Sequence, residues 1–246
     1  MTGQTQKTAL VTGASRGIGA AIAERLAADG FAVVVNYAGS EKAANEVVAK
    51  IESAGGRAVA AQADVSDPAQ VAHLFDRAEA AFGVPEVLVN SAGIMQLAPL
   101  AGSEDEMFDR TIATNLKGTF NTLREAARRM QDGGRIVNLS TSVVGAKLPT
   151  YSVYAATKAA VEVMGEILSK ELRGRNITVN SVAPGPTATA LFLDGKSEDQ
   201  IEGLSKANPL ERLGQPEDIA NTVSFLAGPD GGWINGQTLR ANGGMV

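Results

Sequence analysis

The chain has 246 residues, 44% of them hydrophobic and 20% charged, with a net charge of −5, no cysteine and one histidine, His73. That length suits one α/β domain with a full core, and an acidic balance without a basic run argues against nucleic acid or an anionic membrane as partner. Lacking cysteine, the chain has no disulfide, thiolate nucleophile or Cys-ligated metal, and one histidine builds neither a multi-histidine metal site nor, on its own, a Ser-His-Asp triad.

The first residues, Met1 to Lys7, lack the apolar core of a signal peptide, and no apolar run reaches spanning length, so a cytoplasmic protein is expected. Strand-length apolar runs at 8–12, 32–36, 58–61, 87–90, 136–139 and 177–182 alternate with helical segments at 20–28, 41–54, 69–82, 104–130 and 153–172. Such alternation predicts a doubly wound α/β fold, a parallel sheet covered by helices on both faces. No repeat, low-complexity tract or linker interrupts it, so residues 1–246 read as a single domain. His73 falls in a polar helix and is read as structural.

The first strand runs into Gly13-Ala14-Ser15-Arg16-Gly17-Ile18-Gly19 and then a helix. Glycines at a strand-to-helix turn let the backbone approach a pyrophosphate, and the free N–H groups at the helix start bind its charge. The spacing is GxxxGxG, and its place after the first strand points to dinucleotide binding. The second strand ends Val35-Asn36-Tyr37-Ala38-Gly39-Ser40, without the carboxylate that would hydrogen-bond the adenosine ribose of NAD. With Arg16 in the glycine turn and Asn36 and Ser40 nearby, a 2′-phosphate would meet a cation and donors, so NADP is the expected cofactor, NADPH preferred over NADH.

The third strand ends Ala63-Asp64-Val65, and the fourth is followed by Asn90-Ser91-Ala92-Gly93. Ligands of doubly wound sheets sit outside the carboxyl ends of the strands, so these residues line one crevice. Asp64 can accept from an adenine amino group or act as a turn residue, and Asn90 can tie neighbouring strands. After the fifth strand, Ser140-Thr141-Ser142 offers three hydroxyls. Further on, Tyr154 and Lys158 stand four apart in a helical segment, on one face. A positive charge beside a phenol favours phenolate and brings its pKa down toward a useful acid/base range.

Taken together, Thr12-Gly13 with Gly17-Ile18-Gly19, Asn90-Ser91-Ala92-Gly93, Asn115, Ser142, Tyr154 with Lys158, and Pro184-Gly185 resemble the short-chain dehydrogenase/reductase family over essentially the whole chain, down to Asn235-Gly236-Gln237 and Asn242-Gly243-Gly244. The family usually has Asn-Asn-Ala-Gly where this chain has Ser91. The resemblance implies a Rossmann-type domain with a seventh strand near 238–241, and a homotetramer. It makes Tyr154 the general acid/base, Lys158 the group that lowers its pKa and holds the nicotinamide ribose, and Asn115 the residue that positions a relay water. A serine holds the substrate oxygen: the Ser-x-x-Gly pattern selects Ser142, counting from the strand selects Thr141, and Ser140 is a third candidate. Pro184, Gly185, Thr187 and Thr189 would border the nicotinamide, and residues 187–210 resemble a mobile substrate lid.

Met95, Leu97, Val144, Leu148, Tyr151, Leu191 and Phe192 flank these motifs and are the candidate substrate lining, suited to a ketone or aldehyde with apolar substituents. The expected activity is NADPH-dependent carbonyl reduction, reversible as alcohol oxidation, with no metal required. A 3-oxoacyl-[acyl-carrier-protein] reductase is the alternative, with Arg128, Arg129, Arg173 and Arg175 available for an acidic carrier but Gln131-Asp132-Gly133-Gly134 where carrier-dependent relatives tend to be basic. A nucleotide sensor without turnover is a third, and the Asn115, Ser142, Tyr154 and Lys158 set argues against it.

Overall fold

Seven short segments rich in Val, Ala and Leu have nowhere to expose a polar face, and they pair as a fully parallel sheet in the order β3-β2-β1-β4-β5-β6-β7. The computed structural model describes residues 6–246; residues 1–5, part of the stretch read for a signal peptide, lie outside the described residues. The strands are β1 (Thr8–Thr12), β2 (Ala32–Tyr37), β3 (Arg57–Gln62), β4 (Val87–Asn90), β5 (Arg135–Leu139), β6 (Thr178–Pro184) and β7 (Thr238–Ala241). The strand anticipated at 177–182 runs two residues further, to Pro184.

Successive side chains of a strand point to opposite faces, and each face has its own core. On one, Ala9, Val11, Val33, Val35, Val87 and Val89 meet Ile22 and Leu26 of α1 (Gly17–Ala28), Val47 and Ile51 of α2 (Glu41–Ser53), and Ile219, Val223 and Leu226 of α10 (Pro216–Ala227). On the other, Leu10, Val34, Leu88, Ile136 and Val179 meet Val71, Leu74 and Phe75 of α3 (Pro68–Phe82) and Leu123 of α5 (Gly118–Arg129). Full burial of a Val, Leu, Ile or Phe side chain such as Val11, Leu10, Ile22 or Phe75 contributes roughly 1.5–3 kcal/mol. His73 lies exposed on α3, 3.5 Å from Asp76.

The segment anticipated as one helix over 104–130 is interrupted. α4 (Asp105–Thr111) passes through a wide π-helical stretch, Ile112–Lys117, into α5. A hydroxyl reaches back to its backbone: Thr119 Oγ1 donates to the Asn115 carbonyl at 2.8 Å. The remaining helices are α6 (Val143–Ala146), α7 (Ser152–Glu171), α8 (Ala190–Leu193) and α9 (Glu198–Ser205). The last two form the segment read as a lid, with α8 capped by Thr189 and α9 by a reciprocal Ser197–Gln200 capping box. Among the described residues, no helix is long and apolar enough to cross a membrane.

The strand order reverses direction between β1 and β4, which opens a crevice at their carboxyl ends. The site forms there.

Candidate active site

The glycine turn is held by its neighbours. Gly13 has φ +61°, and a Cβ there would stand 2.7 Å from Ala92 Cα, so only glycine lets the turn press on the loop after β4. Thr12 Oγ1 accepts from the Ser91 and Ala92 amides, each at 3.1 Å, which fixes that loop against β1. Arg16 precedes α1 in extended conformation and provides no side-chain cap, leaving the Gly17, Ile18 and Gly19 amides at the cleft. Thr189 lies across the turn, its methyl 3.5 Å from where a Gly17 Cβ would be.

Asn36 corrects the expectation of a phosphate donor. Its side chain is buried and fully engaged: Oδ1 accepts from the Gly13 amide at 3.2 Å, and Nδ2 donates to the Ala61 and Ala63 carbonyls at 3.1 Å each. It therefore supports the turn from behind. Asn36 still borders the cleft, as do Arg16, Tyr37, Ser40, Asp64 and Val65, and the Ser40 hydroxyl makes no capping bond to α2. Asp64 Oδ1 accepts from the Ser66 amide at 2.9 Å, and the cap of α3 is Asp67. Glycine cradle, exposed helix amides, Arg16 and the absence of a carboxylate over residues 36–40 fit a dinucleotide bearing a 2′-phosphate.

Asn90, also expected at the cofactor, lies outside the cleft. Its Nδ2 donates to Asn138 Oδ1 at 2.9 Å and its Oδ1 accepts from Thr122 Oγ1 at 2.7 Å, which ties β4 to β5 and α5. Asn115 is likewise committed, with Oδ1 accepting from the Ile94 amide at 2.8 Å and Nδ2 donating to the Ile94 carbonyl at 2.9 Å. Its side chain clamps the loop that carries Gly93.

Tyr154 and Lys158 face the same cleft from α7, as the spacing predicts. Their electrostatics differ from the expectation. Burial pushes the Tyr154 phenol up to about 12, opposed by the Thr141 side chain, and burial brings the Lys158 ammonium down to about 8. The lysine Nζ donates to the Leu139 carbonyl at 2.7 Å and stands 5.9 Å from the Tyr154 ring centre. In this arrangement desolvation outweighs the charge, and the phenol is held neutral.

Of the three hydroxyls, Thr141 is the one set against the phenol, with its Oγ1 accepting from the Val143 amide at 3.3 Å. The Ser142 hydroxyl is used elsewhere, donating to the Ala183 carbonyl at 3.2 Å and accepting from Asn242 Nδ2 at 2.9 Å. Ser140 donates to Glu162, whose carboxyl burial pushes up. All three residues line the cleft.

A single cleft of about 490 Å³ joins the glycine turn to Tyr154 and continues into an apolar end with Met95, Leu148, Tyr151, Leu191 and Phe192. Pro184, Gly185, Thr187 and Thr189 border it. The Thr187 hydroxyl donates to the Gly185 carbonyl at 2.9 Å. Tyr151 packs edge-on against Tyr154, ring centres 6.3 Å apart. Val144 is a correction: Val143, the first residue of α6, lines the cleft in its place, and Leu97 lies outside. Ile94, Leu204 and Met245 line it too and were not anticipated. Ile94 adjoins a motif and Leu204 falls in the segment read as a lid; nothing local marks Met245.

The arginines considered for an acidic carrier sit at the opposite end of the sheet, where β5 and β6 begin. Arg129 pairs with Asp76, Glu79 and Glu125, Arg128 with Glu125, and Arg175 with Asp132.

Comparison with known proteins agrees with this geometry. Residues 13–246 match the family profile described as enoyl-(acyl carrier protein) reductase. A short-chain type dehydrogenase/reductase of Picea abies is 49% identical over 98% of this chain and 92% of its own. An NADPH-dependent aldehyde reductase-like protein of Arabidopsis thaliana, described as chloroplastic, is 46% identical over 98% and 94%. Among solved structures, a short chain dehydrogenase from Burkholderia cenocepacia in complex with NADP superposes with TM-score 0.92 at 41% identity, covering 98% of both chains. The angucycline C-6 ketoreductase LanV with bound NADP gives 0.92 at 40%, covering 99% of this chain and 97% of its own. The chain belongs to the short-chain dehydrogenase/reductase family.

Proposed function

We propose that this protein is an NADPH-dependent carbonyl reductase that reduces an apolar ketone or aldehyde to the alcohol, with Tyr154 as proton donor. The observation that carries this reading is a half-buried phenol, its pKa raised by desolvation and set against the Thr141 hydroxyl, where the glycine-turn end and the apolar end of one cleft meet. NADP is the cofactor: Arg16 and Ser40 hold the 2′-phosphate, the Gly13 to Gly19 turn the pyrophosphate, and Lys158 with Ala92 and Gly93 the nicotinamide ribose. Relatives described as NADPH-dependent aldehyde reductases and neighbours solved with NADP support the choice.

When bound, NADPH supplies the hydride that the carbonyl carbon receives. The chain's own part is to place and protonate the oxygen. Thr141 and Tyr154 offer two hydroxyl donors to the carbonyl oxygen, which are worth most when charge develops on it. As that oxygen becomes alkoxide it takes the phenol proton, and the phenolate left behind is stabilised by Thr141 and the Lys158 ammonium until solvent reprotonates it. Asn115, through Ile94, is a positioning residue: a Cβ on Gly93 would stand 3.3 Å from Asn115 Oδ1 and 3.6 Å from Lys158 Nζ.

The carrier-dependent reading ranks second because three of the four arginines that would meet a carrier, Arg128, Arg129 and Arg175, are paired with carboxylates, and all four lie away from the cleft within the chain. A non-catalytic NADP sensor ranks third, since it has no use for a donor pair. A cytoplasmic homotetramer belongs to the same proposal, on family resemblance, and light scattering checks its mass. The deciding experiment follows nicotinamide absorbance with NADPH and with NADH across simple ketones, aldehydes and 3-oxoacyl thioesters. Turnover of simple carbonyls with NADPH is expected; preference for thioesters selects the carrier-dependent reductase, and no turnover with any of them selects the sensor.

A further inference from the structure

After β7 the chain turns back toward the cleft through Asn242, Gly243 and Gly244. The two glycines have φ +66° and +87°, a left-handed pair that side-chain-bearing residues resist. The turn is packed on one side against the segment following α9: a Cβ on Gly243 would stand 2.5 Å from Asn208 Oδ1, and one on Gly244 would stand 3.2 Å from Pro209 Cγ. Asn208 is itself buried and fixed, donating to the Ser205 and Arg212 carbonyls at 3.2 and 2.9 Å.

On the other side, Asn242 is tied to the loop after β5. Its Nδ2 donates to Ser142 Oγ at 2.9 Å, and its Oδ1 accepts from the Gly244 amide at 3.0 Å. Val246 reaches α6, its Cγ2 3.1 Å from where a Gly145 Cβ would be. Residues 242–246 therefore form a strap between the base of the lid segment and the segment carrying Thr141. The hydroxyl the proton chemistry does not use, Ser142, is its anchor.

Met245, carried by this strap, lines the cleft together with the apolar residues Val143, Leu148, Leu191, Phe192 and Leu204. An unbranched thioether with three rotatable bonds fills irregular space and yields to it. We infer that Met245 is a specificity-determining residue, an adjustable stop that limits the size of the apolar substituent on the carbonyl. This rests on the carbonyl-reductase reading for its substrate, and on cleft geometry alone for its position.

The chain contains no cysteine, so Met245→Cys introduces a single thiol that can be capped with methyl, propyl or benzyl methanethiosulfonate. Two properties are then measured beside melting temperature and NADPH affinity. One is the ratio of kcat/KM for a bulky aromatic ketone to that for a short aldehyde; the other is the affinity of 8-anilinonaphthalene-1-sulfonate, an apolar probe that needs no turnover. Met245→Ala is expected to raise the ratio about tenfold or more, the range that a methylene or two commands in an apolar pocket. The benzyl adduct should lower the ratio and the probe affinity by a similar factor, with NADPH affinity unchanged and Met245→Leu close to the native protein.

A ratio unmoved by both the alanine variant and the benzyl adduct, or moving only in step with melting temperature, overturns the inference. Were no carbonyl turned over by the unmodified protein, the functional reading would fail separately. Probe affinity falling with adduct size would still support the position of Met245, and flat probe affinity would overturn it.

Discussion

The two ends of the cleft are built by different means. The nucleotide end is mostly backbone: amides of the β1–α1 turn, a glycine that only fits because it lacks a Cβ, and buried Thr12 and Asn36 holding both from behind. The apolar end is all side chains, brought from the loop after β4, α6, α7, α8, α9 and the strap after β7. A backbone cradle reads one invariant chemical group and tolerates little change. A wall assembled from several short elements can vary residue by residue, so cofactor choice and substrate choice are separable in this molecule.

Removing Tyr154 should break the junction between the two ends most severely. Tyr154→Phe is expected to lower kcat by about 10²–10⁴-fold, the usual range for a general acid, with NADPH affinity preserved in a fluorescence titration; retained turnover would refute the assignment. Next comes the pair of neighbouring hydroxyls. Thr141→Ala should cost about 10²-fold in kcat, as loss of one oxyanion donor does. Ser142→Ala should leave kcat within a few-fold yet lower stability by about 1–3 kcal/mol, because the Ala183 carbonyl and Asn242 amide lose a buried partner. The reverse pattern would return the role to Ser142.

The buried ammonium has a stability signature. Lys158 titrates near 8 in the folded chain against 10.5 in the open, so between those values the unfolded state binds more protons and stability rises with pH. Below 8 the whole cost is present, at most about 3 kcal/mol from the size of the shift. Lys158→Met should therefore melt higher than the native protein at pH 7, and the gap should narrow as pH rises from 8 toward 10. Above 10 Tyr154 acts in the opposite sense, since its raised value makes the folded state hold its proton and stability fall. A gap independent of pH would mean that Lys158 binds its proton equally in the folded and unfolded chain, its pKa not lowered by the fold. Arg16→Ala is the smallest change, an expected loss of about tenfold or somewhat more in kcat/KM with NADPH for one charge-assisted contact at an exposed site, and about none with NADH. Equal losses would remove the phosphate contact.

Legibility in the sequence followed the same division. The glycine turn and the Tyr154–Lys158 pair are local patterns, and the strand limits at 8–12 and 87–90 hold to the residue. The errors came where a short-range count met a tertiary constraint. Val144 for Val143 is a one-residue slip at the start of α6, and the proposal of Thr141 over Ser142 as the hydroxyl beside the phenol turns on the same short turn. Spacing placed Lys158 near Tyr154 but could not say that both would be desolvated. Asn36 and Asn90 stand at strand ends as anticipated, yet their amides satisfy neighbouring backbone and side chains instead of a ligand. Met245 carries no motif, and only the fold brings it to the cleft.

The wide stretch at 112–117 fixes a rotational phase. Regular helix turns about 100° per residue, so the extra width there decides that Asn115 looks toward Ile94 while Asn121, Thr122 and Leu123 further along α5 look into the protein. Deleting one residue from this stretch would give a more regular helix and turn every later side chain of α5 through roughly a quarter of a circle, pulling Thr122 from Asn90 and Leu123 from the core. The imperfection in the ladder is what lets one continuous rod serve the cleft at one end and the sheet at the other.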